Sequence, residues 1–233
     1  MILGIMQPYF FPYIGYWQLM NAVRTFIIYD NIEYTKKGWI NRNRILVNCK
    51  DSYITLPIKK DSDYLNVSER YLADTWKKDR IKMLNQIKSA YQKAPEFITV
   101  FPIIEKCILF DEDNLFKFIL NSILTIKSFL DIKTKIQISS LISIDHTLKS
   151  EEKVIALCKA QNAKSYINPS GGIELYNKQI FSDNEIRLYF MKAIDIKYQQ
   201  FTNNFIPSLS IIDMMMFNSR EQVQLYLTDF KLL

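Results

Sequence analysis

Residues 6–17 have the sequence MQPYFFPYIGYW, and this stretch decides the fold. It follows an apolar run, Ile2–Ile5, that predicts a strand, and it precedes Gln18–Val23, which predicts a helix. A tight turn needs only a Gly, Asn or Asp, yet this one holds two prolines, a glutamine and several aromatic residues. Open α/β sheets bind ligands at such strand-to-helix turns. The turn is therefore a candidate ligand site, and the alternative is an aromatic-rich core loop.

Apolar periodicity over the rest of the chain predicts strands that alternate with helices. The predicted strands are Thr25–Tyr29, Gly38–Val47, Ser52–Ile58, Lys135–Ile144, Ser165–Asn168 and Glu185–Met191, and the predicted helices are Trp76–Gln92, Pro95–Leu109, Asn114–Leu130, Ser150–Asn162, Ser210–Asn218 and Ser219–Thr228. This alternation indicates an α/β fold with a largely parallel sheet and flanking helices. We expect an antiparallel hairpin near residues 39–58, a helical layer or lid at residues 74–131, and a single domain over residues 1–233.

A second cluster, YTKKGWINRNR at residues 34–44, follows the strand that ends near Asp30. If residues 39–47 form a strand, Trp39 and Asn41 share one face while Arg42 and Arg44 share the other. A half-buried strand would instead have one clean polar face. The planar guanidinium suits phosphate or carboxylate recognition, so we expect a ligand here. The alternative is an edge strand with solvated arginines.

Asp30 closes an apolar strand, so we expect it at the same carboxyl edge as the first cluster. A carboxylate there can act as a base, hold a ribose hydroxyl or bind a metal. It can equally cap the turn that follows the strand.

The third cluster is YINPSGG at residues 166–172, with Tyr176 four residues further on. It also follows a predicted strand and holds two of the five glycines in the chain. Adjacent glycines let backbone N–H groups approach an anion. The spacing and the missing lysine exclude a P-loop.

His146 is the only histidine, which excludes any multi-histidine metal site or mechanism. It can serve as a lone acid or base, or it can be a polar turn residue after Asp145. Ser210 and Asp213 have the spacing of a helix start, and Met214–Phe217 is typical of a core segment.

Composition bounds the remaining function classes. The net charge is +6, but the lysines are scattered singly and in pairs, so no nucleic-acid partner is expected. No apolar run is long enough for a membrane span, and no secretory signal is visible. The three cysteines are odd in number and widely spaced, which fits reduced thiols and a cytoplasmic location rather than disulfides or a zinc site.

Four stretches of this chain resemble the WbqC-like family of bacterial proteins: MQPYFFPYIGYWQL, YDNIEYTKKGWINRNRIL with the later LPI, YINPSGGIELY, and FIPSLSIIDMMMFNS. They occur in family order and span nearly the whole chain. Many members have His where this chain has Met6, so the resemblance suggests that the first motif binds rather than transfers protons. It implies a role in O-antigen or other surface-polysaccharide biosynthesis, as a transferase of glycine or another acyl group to an amino sugar.

The resulting hypothesis is a transferase that acts on an amino sugar, which we expect to be nucleotide-linked. Asp30 or His146 is the candidate base. The acyl or amino-acid donor is not specified by the sequence, and both ATP and acyl-CoA are compatible with it. The oligomeric state is left open. The expected ligand-binding residues are Gln7, Tyr9, Tyr13, Lys36, Trp39, Asn41, Arg42, Arg44, Asn168, Ser170, Gly171, Gly172 and Tyr176. The alternative is a non-catalytic nucleotide-sugar-binding or scaffold protein of the same pathway.

Overall fold

The computed structural model describes residues 1–202 and 204–233. Its main sheet has six strands in the order β5-β2-β1-β6-β7-β8. Their bounds are β1 Ile2–Met6, β2 Thr25–Ile28, β5 Lys135–Ile138, β6 Ser165–Pro169, β7 Arg187–Ala193 and β8 Phe230–Leu232. All neighbours pair in parallel except β7 and β8, which are antiparallel. The predicted α/β class with a largely parallel sheet is confirmed.

The order of the strands creates a topological switch point. From β1 the chain builds outward on one side through β2 to β5, and then returns to build β6 and β7 on the other side. The loops that leave the carboxyl ends of β1 and β6 therefore run apart and leave a crevice between them. Ligands of open α/β sheets bind in such a crevice.

A separate hairpin consists of β3, Arg42–Val47, and β4, Lys50–Thr55. Asn48 and Cys49 connect the strands with φ values of 50° and 60°, which suits a two-residue turn with the right-handed twist of a hairpin. The predicted hairpin is confirmed, but its first strand begins at Arg42 and not at Gly38. The backbone before Arg42 is diverted because the carbonyls of Trp39 and Ile40 lie against the amide of Phe10.

The predicted helical segment at residues 74–131 is present. It contains α2 (Trp76–Tyr91), α3 (Phe97–Ile108) and α4 (Leu115–Phe129). The other helices are α1 (Ile14–Ala22), α5 (Ser150–Ala160), α6 (Lys178–Asp183), α7 (Ile211–Phe217) and α8 (Arg220–Tyr226). The short helix α6 has no counterpart in the sequence analysis.

Buried apolar side chains form two clusters on the two faces of the sheet. The larger cluster joins the first motif, the hairpin and helices α2, α3, α4 and α7, while the smaller one lies between the sheet and helices α5 and α6. No helix in the part of the chain that the structure describes is long and apolar enough to cross a membrane.

Candidate functional site

A cleft of about 740 Å³ opens at the carboxyl edge of the sheet, at the switch point between β1 and β6. Its walls come from the segments that follow β1, β2 and β6 and from the first turn of α5. The lining includes Met6, Gln7, Tyr9, Tyr29, Asn31, Glu33, Asn66, His146, Lys149, Ser150, Lys153, Asn168, Gly171, Gly172 and Tyr176.

Lys153 is the most buried charged residue that lines this cleft. Only 6% of the residue is exposed, and the part of the chain that the structure describes offers its ammonium no carboxylate partner. The Nζ atom donates to the His146 carbonyl at 3.2 Å and lies 5.0 Å from the centre of the Tyr29 ring. Burial lowers the pKa of Lys153, and the negative charge of Asp30 opposes that shift. A buried ammonium with free donors indicates a site for an anion.

Lys153 was not among the expected site residues, since one lysine near the start of an amphipathic helix has no distinguishing sequence pattern. Tyr29 and Glu33 were not among them either, although both line the cleft. Burial raises the pKa of Tyr29 to about 12, with a further contribution from Tyr176, so its phenol stays neutral. The first turn of α5 forms part of the same wall, because Lys149, Ser150 and Lys153 all line the cleft.

His146 lines the cleft, and both of its ring nitrogens have partners. Nε2 lies 3.0 Å from the Ile142 carbonyl, which can only accept, so this nitrogen carries the hydrogen. Nδ1 lies 2.9 Å from Nδ2 of Asn31 and accepts from it in the neutral ring. The Asn31 Oδ1 atom is buried and without a partner. Rotation of that amide would present Oδ1 to a protonated Nδ1, so the pair can accommodate either charge state of the ring.

The third cluster surrounds one end of the cleft. Asn168, Gly171, Gly172 and Tyr176 line it, whereas Ser170 does not. Asn168 is held in place because its Oδ1 accepts from the buried Tyr166 hydroxyl at 2.9 Å and its Nδ2 donates to the Pro169 carbonyl.

The first cluster contributes both to the cleft and to the core, which are the two alternatives that the sequence left open. Gln7 and Tyr9 line the cleft, while Phe10 and Phe11 are fully buried core residues. Tyr13 points away from the cleft and lines a second cavity of about 550 Å³ beside the segment that follows β7. The first residues of the loop therefore line the cleft, and its middle packs into the core.

The second cluster does not reach the cleft, so Lys36, Trp39, Asn41, Arg42 and Arg44 do not join the other expected ligand-binding residues there. Arg42 donates to the carbonyls of Gly38 and Lys37, and Arg44 pairs with Asp51 at 3.1 Å. Trp39 stacks on Tyr53 outside the cleft. Asn41 is buried and bonded, and Lys36 pairs with Asp63. These groups turn away because the chain leaves the sheet edge after Tyr34 and enters the hairpin.

Asp30 is 3% exposed and does not line the cleft. Its carboxylate accepts from the Ser140 amide at 2.9 Å and from the Ser140 hydroxyl at 2.6 Å. These bonds end β5 at Ile138, which is why the strand predicted to reach Ile144 is shorter and gives way to a 3₁₀ turn at Ser139–Leu141. Among residues 1–202 and 204–233, no three His, Cys, Asp or Glu side chains are grouped to hold a metal ion.

Comparison with known proteins gives a family but no characterised relative. A model of the WbqC-like protein family matches residues 7–225. The chain is also similar to an uncharacterized protein of Mycobacterium tuberculosis, with 27% identity over 218 residues that cover 91% of each chain. No solved structure matches.

Proposed function

The chain belongs to the WbqC-like protein family, and on that premise we propose that it is a transferase of surface-polysaccharide biosynthesis. In this proposal the cleft binds a nucleotide-linked amino sugar and the enzyme adds a glycyl or other acyl group to the sugar amine. The mycobacterial relative is uncharacterized, so the ligand class in this proposal rests on the chemistry of the cleft.

One observation supports the ligand class, namely the buried ammonium of Lys153 at the switch point. The ammonium and the first turn of α5 together favour a phosphate or diphosphate group. Tyr9, Tyr29 and Tyr176 provide phenol rings in the same cleft, which suit contact with a base or a sugar ring. A ligand that carries both a diphosphate and rings fits this combination.

The transfer step requires a neutral amine, because the nitrogen must have a free lone pair to attack. The amine nitrogen attacks the acyl carbonyl, the C–N bond forms, the bond to the donor's leaving group breaks, and the amine proton passes to a base. Of the two candidate bases, His146 lines the cleft while Asp30 is occupied by Ser140. We therefore propose that Nδ1 of His146 takes the amine proton. The Asn31 amide would then rotate so that its Oδ1 accepts a hydrogen bond from the imidazolium. Asp30 then acts through its charge on Lys153.

Ligand binding is tested with nucleotide sugars, ATP and acetyl-CoA in a thermal-shift panel followed by titration calorimetry. A ligand of the folded state raises the melting temperature by mass action. Lys153→Met should weaken binding of a nucleotide sugar by about tenfold or more, since a charged hydrogen bond is lost. Lys159→Met is the matched control, because Lys159 is exposed on the same helix, about 9 Å further along it. Equal affinity in both variants would refute the role of Lys153.

A second candidate is a binding protein without catalysis, and the occupied ring nitrogens of His146 favour it. His146→Gln separates the two. For an enzyme this variant should keep nucleotide-sugar affinity and lose roughly 10²–10⁴-fold in turnover. For a binding protein, the wild type should bind the sugar but form no acylated product with any donor.

A further inference from the structure

Arg70 is a buried arginine without a partner. Only 4% of the residue is exposed, and its Nε and Nη2 atoms are buried with no hydrogen bond. Within residues 1–202 and 204–233 its guanidinium forms no ion pair either. Arg42 and Arg44 differ from it, because their guanidinium groups donate to neighbouring carbonyls or to Asp51, although Nε of Arg44 is also buried without a partner.

The backbone fixes Arg70 in place. Its amide donates to the Val67 carbonyl at 3.2 Å, and its own carbonyl accepts from the amide of Leu115 at the start of α4 at 2.9 Å. The guanidinium carbon lies 5.0 Å from the centre of the Tyr34 ring. Tyr34 is oriented in turn because its hydroxyl donates to Oδ1 of Asn41 at 2.8 Å. One face of the guanidinium therefore has a fixed neighbour, while the donor edge does not.

A buried cation without an anion destabilises a folded protein, and contact with one aromatic ring offsets that penalty only in part. The charge of Arg70 acts on the Asp63 carboxylate, but that carboxylate pairs with Lys36 at 2.7 Å instead. Two adjacent free N–H donors on a planar fork match the two oxygens of a carboxylate or phosphate. We propose that Arg70 is the anchor of an oxyanion-binding site that is distinct from the Lys153 cleft.

In this proposal the oxyanion enters at the Lys36–Asp63 pair, which must open because the Nε and Nη2 atoms of Arg70 are buried. Both side chains are mostly exposed, so this ion pair contributes little stability and opens readily. The segment that leads to Arg70 also contacts the cleft, since Leu65 and Val67 hydrogen-bond to Tyr34 and Ile32, and Asn66 lines the cleft. A ligand group at Arg70 would therefore lie beside the cleft, where the anionic end of a second substrate can be held. The proposal for Arg70 does not depend on which ligand the Lys153 cleft binds.

The test follows the Arg70 Nε–H resonance by NMR during titration with pyrophosphate, acetate or glycine. It uses Lys153→Met as well as the wild type, so that binding at the cleft ammonium does not confuse the result. Arg70→Lys assigns the resonance, and Arg70→Met removes the charge at similar size. Arg80→Met is the charge-matched control, because Arg80 lies on α2 and bonds only to the Leu109 carbonyl.

At least one of the three probes should shift the Arg70 resonance in the wild type and in Lys153→Met, and should raise the melting temperature of both. That thermal shift should persist in Arg80→Met and vanish in Arg70→Met. A response to pyrophosphate alone identifies a phosphate site, and a response to acetate or glycine identifies a carboxylate site. An unmoved resonance with all three probes would overturn the proposal and leave Arg70 as a structural residue. If Arg70→Met does not fold, the titrations of the wild type and Lys153→Met decide the question alone.

Discussion

Gly171 and Gly172 are adjacent at the end of the cleft, but their surroundings differ. A Cβ atom added at Gly171 would meet nothing within 4 Å, whereas one added at Gly172 would lie 2.1 Å from Nδ2 of Asn168. Neither glycine has a positive φ, so space and not backbone strain distinguishes them. Gly172 is therefore required for the close approach of Asn168, which also binds the buried Tyr166 hydroxyl.

This contrast makes a prediction for the two alanine variants. Gly172→Ala should displace Asn168, leave the Tyr166 hydroxyl without its acceptor and destabilise the protein by about 1–3 kcal/mol. For a chain of this length that corresponds to a fall of roughly 2–12 °C in melting temperature. Gly171→Ala should melt within about 2 °C of the wild type, because ordinary surface changes have small effects. Differential scanning calorimetry measures both, and equal losses would contradict the argument.

The sequence identifies charged residue types at the site but not which of them remain free. Arg42 and Arg44 stand out because arginine is rare in this chain, yet local carbonyls and Asp51 occupy them. Lys153 and Arg70 have no unusual sequence context, and their significance comes from burial without a counter-charge. Such burial depends on which distant segments pack together, so no local pattern predicts it.

At the scale of elements, Asp213 connects three parts of the molecule. It lies in α7 and is fully buried. Its carboxylate accepts from the hydroxyls of Tyr91 in α2 and Tyr198 after β7, and from the side-chain amide of Gln200, all at 2.7–2.8 Å. The predicted helix start at Ser210 is present, since its hydroxyl accepts from the Ile212 amide. These bonds indicate a structural role for Asp213.

The Asp213 network predicts a pH dependence of stability. Burial raises the pKa of Asp213 although its three hydrogen bonds oppose the shift, so the folded state retains this proton when the unfolded state has released it. The stability from Asp213 is thus fully present below the unfolded pKa near 3.8 and declines as pH rises through the folded pKa. Asp213→Asn cannot ionise and should escape that decline. In urea titrations, the stability advantage of the wild type over Asp213→Asn should shrink as the pH rises above about 4. An advantage that grows as the pH rises would mean that the hydrogen bonds outweigh desolvation.

Element types were easier to predict than element ends. Helices α2 and α4 follow from apolar spacing, because each buries one continuous face against the core. The strands β3 and β5 are shorter than predicted because contacts from other segments, at Phe10 and at Asp30, divert their backbones. Local propensity cannot foresee those contacts.

At the scale of the whole molecule, strand order creates the cleft. The sequence correctly indicates polar or glycine-rich segments after several strands, but only the placement of β6 next to β1 brings the first and third clusters together. The hairpin leads the second cluster away, although its sequence position after β2 suggests otherwise. Convergence of loops therefore depends on topology, which alternation of strands and helices leaves undetermined.

Packing across the molecule favours the helical segment as a fixed layer over the alternative of a lid. Trp76 in α2 contacts Phe118 in α4 at a centroid distance of 5.4 Å, and Phe118 contacts Phe10 in the first motif at 6.3 Å. A lid that opens would have to break this continuous aromatic contact. We therefore expect the chain to unfold in a single transition.

The three tryptophans allow this expectation to be tested in both halves of the molecule. Trp39→Phe with Trp76→Phe leaves Trp17 in α1 as the reporter, and Trp39→Phe with Trp17→Phe leaves Trp76 in α2. Each double variant will be less stable than the wild type, since Trp17 and Trp76 are both buried. The comparison is therefore made within each variant, between the fluorescence midpoint and the midpoint from far-UV circular dichroism. The two midpoints should coincide in both variants, because one core includes both reporters. A Trp76 transition that precedes the loss of circular dichroism would instead show that residues 74–131 detach first, as a lid would.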